Sequence, residues 1–264
     1  MKEEFDKYIA QKRKLGRILT LGTEMSQKVA GRIENHTKAY ATILFTRMCA
    51  TSVSMMKLGP ESIESHWECT SLFSLTRNLI ENYHTLFYFS IDKISEDERE
   101  LRKLFFDLHE TKSRADMLFY LAKEDKNQGV KIEKEIKDRI RNNKIFKELH
   151  QKKQKNLIKG SSSFIITREE IEERIGNSKE KYKGLYKFLS NQVHSFPMSF
   201  TRMTEQQKGR GIASEVEINY SNMAFELSAN YYLEGCLNMV QLFPELKSDY
   251  EQKLLNEKQK QHNA

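Results

Sequence analysis

A chain of 264 residues with 38% apolar and 31% charged side chains is long enough to bury a real core and carries a heavily charged surface. Three prolines and eleven glycines supply too little turn chemistry for an all-β sandwich or barrel. The formal charge of +7 permits an anionic partner without requiring one, since a lysine-rich solubilising surface gives the same balance.

The opening "MKEEFDKYIAQKRK" is charged and lacks the apolar stretch of a secretion signal. No apolar run approaches the ~18 residues that span a bilayer. Cys49, Cys69 and Cys236 lie far apart among apolar neighbours and form no Cys-x-x-Cys pair, so they read as reduced core thiols. The expectation is a cytoplasmic protein with no membrane segment.

Two stretches of this lysine-rich chain contain no lysine, residues 58–92 and 209–246. Lysine is rarely fully buried, so such gaps mark elements enclosed by others. The segment "HTKAYATILFTRMCATSVSMM" is nearly as poor in charge and predicts a first core helix over about 36–57, stopped by Leu58-Gly59-Pro60. A second core helix is expected over about 61–91. Residues 123–180 combine dense charge with apolar Val130, Ile132, Ile136 and Ile140 at helical spacing, which predicts a charged helical projection. Gly160-Ser161-Ser162-Ser163 interrupts it, and Thr167-Arg168-Glu169-Glu170 restarts a helix in capping-box style. Tyr182, Leu185, Tyr186, Leu189 and Val193 give an apolar face to a helix over about 182–194, ended by Pro197. A long loop follows over 195–216. The last core helix is expected over about 221–243, with Ser221 or Asn222 as N-cap, and a flexible tail over about 256–264. The fold class is therefore all-α, one helical domain over 1–264: a bundle of long helices with a charged projection.

On the second core helix Arg77, Glu81, His84 and Tyr88 share one face, because seven residues return to within about 20° of the starting direction. Arg77 and Glu81 are spaced to pair. The row reads either as the solvent side of an amphipathic helix or as a polar site. Enclosed, each member would need a partner, and loss of Glu81 would strand a buried arginine. In "FLSNQVHSFP", Asn191 and His194 occupy the last helical turn, where the dipole favours a histidine. The functional reading turns both toward Arg77 and Glu81.

Two resemblances attach to these residues. "SLTRNLIENYHTLFYF" followed by "YKFLSNQVHSFP" resembles an uncharacterised bacterial all-helical family, in which an Arg-x-x-x-Glu helix accompanies a Ser-x-x-x-His helix end. That likeness spans roughly residues 40–240 and falls on Arg77, Glu81, Ser190 and His194. Arg77-Asn78 followed by His84 resembles the Arg-x(4–6)-His signature of HEPN-type ribonucleases, small helical bundles that are usually dimeric and cut RNA without a metal. The likeness implies that Arg77 would hold a phosphate and a histidine would move a proton at a ribose oxygen. Arg102 and His109 repeat the spacing.

Other chemistry is thinly represented. Glu81-x-x-His84 is one Glu-x-x-His where a di-iron bundle needs two plus further carboxylates. No His-Glu-x-x-His, P-loop or Gly-x-Ser-x-Gly elbow occurs. The expectation is a metal-independent, HEPN-like RNase without cofactor, of the kind used as a toxin or antiviral effector. The alternative is a non-catalytic basic helical module that binds nucleic acid or a protein partner. Candidate site residues are Arg77, Asn78, Glu81, His84, Asn191 and His194. RNA, a second copy of the chain and a protein partner are the partners these readings admit.

Overall fold

The computed structural model describes residues 1–32, 34–123, 129–194, 196–200 and 209–260. The protein is all-α, and among the described residues the one β-type pairing is an isolated bridge between Trp67 and Gly211. The described chain divides into two compact units, residues 1–91 with 172–264, and residues 92–171.

The first unit is built on α1 (Lys2–Val29), α2 (His36–Leu58), α3 (Cys69–Leu86) and α11 (Glu215–Leu242), with α9 (Lys179–Val193) against α3 and α12 (Lys247–Gln259) against α1 and α11. A short α10 (Pro197–Phe200) follows α9. Phe45, Phe73, Phe225, Tyr8, Tyr83 and Tyr232 lie wholly or almost wholly buried at its centre. Buried polar groups stitch the helices. Thr76 on α3 donates to Ala224 O of α11 at 3.2 Å, and Ser228 donates to Thr76 at 3.1 Å.

Both lysine-free stretches supply core helices, but α1 is an equal member of the core despite its lysines. Lys12 is 4% exposed because its ammonium donates to Gly59 O at 2.6 Å and Pro60 O at 3.2 Å and pairs with Glu61. It caps the carbonyl end of α2, where the helix dipole favours a cation. Lys14 is buried against Asn230 Oδ1 at 3.0 Å.

Two expected helix starts are corrected. α3 begins at Cys69 rather than near 61, because Glu68 serves as N-cap and accepts from the Thr70 and Ser71 amides at 2.9 and 2.8 Å. The stretch before it is a turn that carries the buried Trp67. α11 begins six residues before the expected start, since Ser214 caps it and Ser221 is buried mid-helix. α3 does not run straight to 91 either: Phe87–Ile91 is a π-helical turn, which re-aims Tyr88 relative to the row above it.

The second unit comprises α4 (Glu96–Ala122), α5 (Val130–Asn142), α6 (Lys144–Glu148) and α7 (Gln151–Leu157). α4 and α5 pack through Leu101, Leu104, Phe105, Leu108, Ile136 and Ile140, all buried. Arg102 is 1% exposed and bound by Asp92 and Glu98, both at 2.6 Å, so the Arg102–His109 spacing belongs to a structural ion-pair network. Thr167 and Glu170 form the expected reciprocal capping box at the start of α8 (Arg168–Ile175), at 2.6 and 3.2 Å.

Candidate functional site

α3 and α9 pack together within the first unit and bring their polar faces into register. α9 starts at Ser178, whose hydroxyl accepts from Lys181 N at 3.2 Å, and buries Tyr182 and Leu189. It ends at Val193, leaving His194 as C-cap with its N–H donating to Ser190 O at 3.1 Å.

Arg77 is the hub. Its Nε donates to Glu81 Oε1 at 2.9 Å, its NH2 to the Tyr186 hydroxyl at 2.9 Å, and its NH1 lies 3.3 Å from His194 Nε2. The guanidinium carbon also sits 4.9 Å from the centre of the Tyr186 ring, a cation–π distance. Because arginine has donors only, His194 Nε2 can take part in this contact only as the acceptor. Burial works against the charge on Arg77, but the hydrogen bond and charge of Glu81, with the Tyr186 and Tyr182 hydroxyls, outweigh it and raise its pKa. The cluster reaches water: the Arg77 and Glu81 side chains are 17% and 39% exposed, and His194 is exposed. Phe196 lies beside the imidazole, ring centres 5.6 Å apart.

Thus Arg77, Glu81 and His194 come together, and Tyr186 joins them. Asn78 is exposed and its amide oxygen accepts from Asn82 at 2.9 Å. The Asn191 amide donates to Lys187 O of its own helix at 2.7 Å instead of turning to Arg77. The spacing puts Tyr186 on an apolar face; the signal for its role is the four-residue series Tyr182, Tyr186, Ser190, His194, which leads from that face toward the histidine.

His84 belongs to a different group. Fully buried, it bonds through Nε2 to Glu172 Oε1, itself 1% exposed on its side chain. Glu172 Oε1 also accepts from the Tyr231 hydroxyl at 2.7 Å, and Oε2 accepts from Asn177 Nδ2 at 2.6 Å. Tyr182 and Tyr231 rings flank the imidazole at 5.1 and 6.1 Å. Burial alone would raise the Glu172 pKa. The His84 hydrogen bond and charge, then Asn177 and Tyr231, outweigh burial and hold it below the ordinary glutamate value. Burial and the Glu172 charge push the Tyr231 hydroxyl up, so it stays a donor. Glu172 stands among Glu169, Glu170 and Glu173, and nothing in the local sequence sets it apart from them.

The three cysteines are buried and outside any disulfide, with burial raising the pKa of Cys49 and Cys236. Among the described residues no group of three or more His, Cys, Asp or Glu is placed to hold a metal ion. Among them, too, no helix is long and apolar enough to cross a membrane.

Fold and site together define an all-helical protein with an arginine-centred polar cluster at the surface of its core unit. The chain belongs to a family of unknown function, DUF5677, whose model matches residues 38–211. That stretch runs from the first turn of α2 through α10, holds the whole Arg77 cluster, and leaves out α1 and α11. No curated protein and no solved structure matches the chain.

Proposed function

We propose that the Arg77 cluster is the centre of a metal-independent ribonuclease of HEPN-like chemistry. The observation that carries the reading is the contact of a solvent-reaching arginine with the accepting nitrogen of an exposed histidine. In this mechanism a substrate phosphate takes the place of His194 on Arg77, whose planar fork matches two phosphate oxygens. The released His194 Nε2 accepts the proton of the ribose 2′-hydroxyl. O2′ bonds to phosphorus, the P–O5′ bond breaks, and O5′ takes a proton from water. The products are a 2′,3′-cyclic phosphate and a 5′-hydroxyl. Glu81 and Tyr186 orient the guanidinium. The reading uses His194 rather than His84, whose ring is closed off against Glu172.

Single-stranded RNA should be cut in excess EDTA, and DNA of the same sequence should survive. Arg77→Ala and His194→Ala should each reduce cutting by at least about a hundredfold. Full activity in His194→Ala would refute the assignment.

A second reading, a basic module that grips RNA without chemistry, is favoured by α7. Residues 149–167 contain no Asp or Glu, and Lys152, Lys153 and Lys155 form no ion pair among the described residues. His150, Lys152, Lys155 and Lys159 line a concave surface there. Replacing Lys152, Lys153 and Lys155 by Gln should flatten the salt dependence of RNA binding by about two units of slope. An unchanged slope would place the contact elsewhere.

A further inference from the structure

On the first unit, a cavity of 340 Å³ opens between α3, the end of α8, α11 and α12. Its volume suits a molecule of roughly ten non-hydrogen atoms, at the small end of ligand sites. Tyr83 and Tyr231 form an aromatic corner, ring centres 5.7 Å apart and edge to face, and Ile175 adds an aliphatic wall. Two lining groups are fixed from behind: the Tyr231 hydroxyl and the Asn177 amide both donate to the buried Glu172 carboxylate. A wall held by a buried His84–Glu172 pair is preorganised, because turning either lining side chain away would cost the buried carboxylate a hydrogen bond. The Tyr83 hydroxyl is likewise engaged, accepting from Asn238 at 3.0 Å.

The remaining lining charges are one of each sign. Glu234 and Lys258 face the cavity and bond to each other, and both keep contact with water, at 36% and 41% side-chain exposure. A lysine balanced by a glutamate gives no net attraction for a phosphate, and the glutamate likewise gives none for a simple cation. The complement of such a pair is a ligand that carries both charges on neighbouring atoms.

We propose that this cavity binds a small zwitterion, a free α-amino acid, with its ammonium on Glu234, its carboxylate on Lys258 and an apolar side chain against Ile175 and the two tyrosine rings. The ligand exchanges one partly solvated ion pair for two charge-assisted hydrogen bonds in a site whose inner wall is already fixed. The site shares no residue with the Arg77 cluster.

The test uses the full-length protein and reads thermal melting and calorimetric titration. The proteinogenic L-amino acids are supplied singly at millimolar concentration, with inorganic phosphate and adenosine as contrasting probes. At least one apolar amino acid should raise the Tm saturably by about 2–4 °C. The matching amine and the matching carboxylic acid, each lacking one charge, should bind at least about tenfold more weakly. Glu234→Gln and Lys258→Met should each abolish the shift. The pair is exposed, so both variants should melt within about 2 °C of wild type without ligand. Silence of every amino acid, a shift that survives both substitutions, or stabilisation by phosphate or adenosine alone would each overturn the proposal.

Discussion

Replacing Glu172 by alanine removes the acceptor shared by three donors: the buried His84 Nε2, the Tyr231 hydroxyl and the Asn177 amide. His84 has no exposed surface, so water cannot take over the role. Breaking a buried pair by deleting one partner costs about 3–5 kcal/mol. For a chain of a few hundred residues each kcal/mol is worth about 2–4 °C, so the Tm should fall by roughly 6–20 °C. Glu81→Ala makes the contrast. The sequence predicts that loss of Glu81 strands an enclosed arginine, but Arg77 also holds Tyr186 and His194 and reaches water. A half-exposed pair of this kind is worth about 0–1 kcal/mol, or at most roughly 4 °C. The pH dependence has a definite sign. The folded-state pKa of Glu172 lies below its ordinary value of 4.5, so its stabilisation is complete above that pH and drains away as pH falls through the depressed value. Glu172→Gln lacks the titrating group, so its Tm should lie below wild type near neutrality and converge with it in acid. Differential scanning fluorimetry across pH reads all three variants. A Glu172→Ala protein that melts within about 2 °C of wild type, or below which Glu81→Ala melts, would refute the assignment of His84 and Glu172 as the buried lock.

Lys12→Met should lower the urea midpoint by an amount equivalent to about 1–3 kcal/mol, because it leaves the buried Gly59 carbonyl without its donor, whereas Pro60 O keeps the Tyr8 hydroxyl; an unchanged midpoint would mean that water caps α2 as well. Gly22→Ala places a Cβ 2.1 Å from the Tyr232 hydroxyl, a buried side chain held by Cys49 at 3.0 Å, and should cost about 1–3 kcal/mol in equilibrium unfolding. A neutral Gly22→Ala would show that α1 and α11 separate more easily than their packing implies.

How much of this was legible in the sequence depends on the range of each interaction. α3 and α11 are visible because burial excludes lysine, and α2 because its length is nearly free of charge, both statements about single residues. α1 escaped the same rule because its buried lysines find carbonyl and amide partners far along the chain, at Gly59, Pro60 and Asn230. The start of α3 was missed because a glutamate, not Ser, Thr, Asp or Asn, caps it. The π-helical turn after Leu86 left no local signature, so Tyr88 seemed to continue the Arg77 row. Within the candidate site, the Arg77–Glu81 pairing follows from four-residue spacing, and Pro197 fixed where α9 had to stop and so where His194 would stand. The partner of His84 lies 88 residues away on a helix of similar glutamates, and only the packing of α8 distinguishes Glu172 from its neighbours. Asn191 departs from the expected orientation because a side-chain amide near a helix end can bond its own backbone at no cost in reach.

The most direct measurement of the ribonuclease reading is the chemistry of the cut ends. Synthetic single-stranded RNA is incubated with the purified protein in EDTA and the fragments are weighed by mass spectrometry. Attack by the neighbouring 2′-hydroxyl predicts a 2′,3′-cyclic phosphate on one fragment and a 5′-hydroxyl on the other, with both products absent from the His194→Ala and Arg77→Ala reactions. Intact RNA, or fragments ending in 3′-hydroxyl and 5′-phosphate, would contradict the role given to Arg77 and His194.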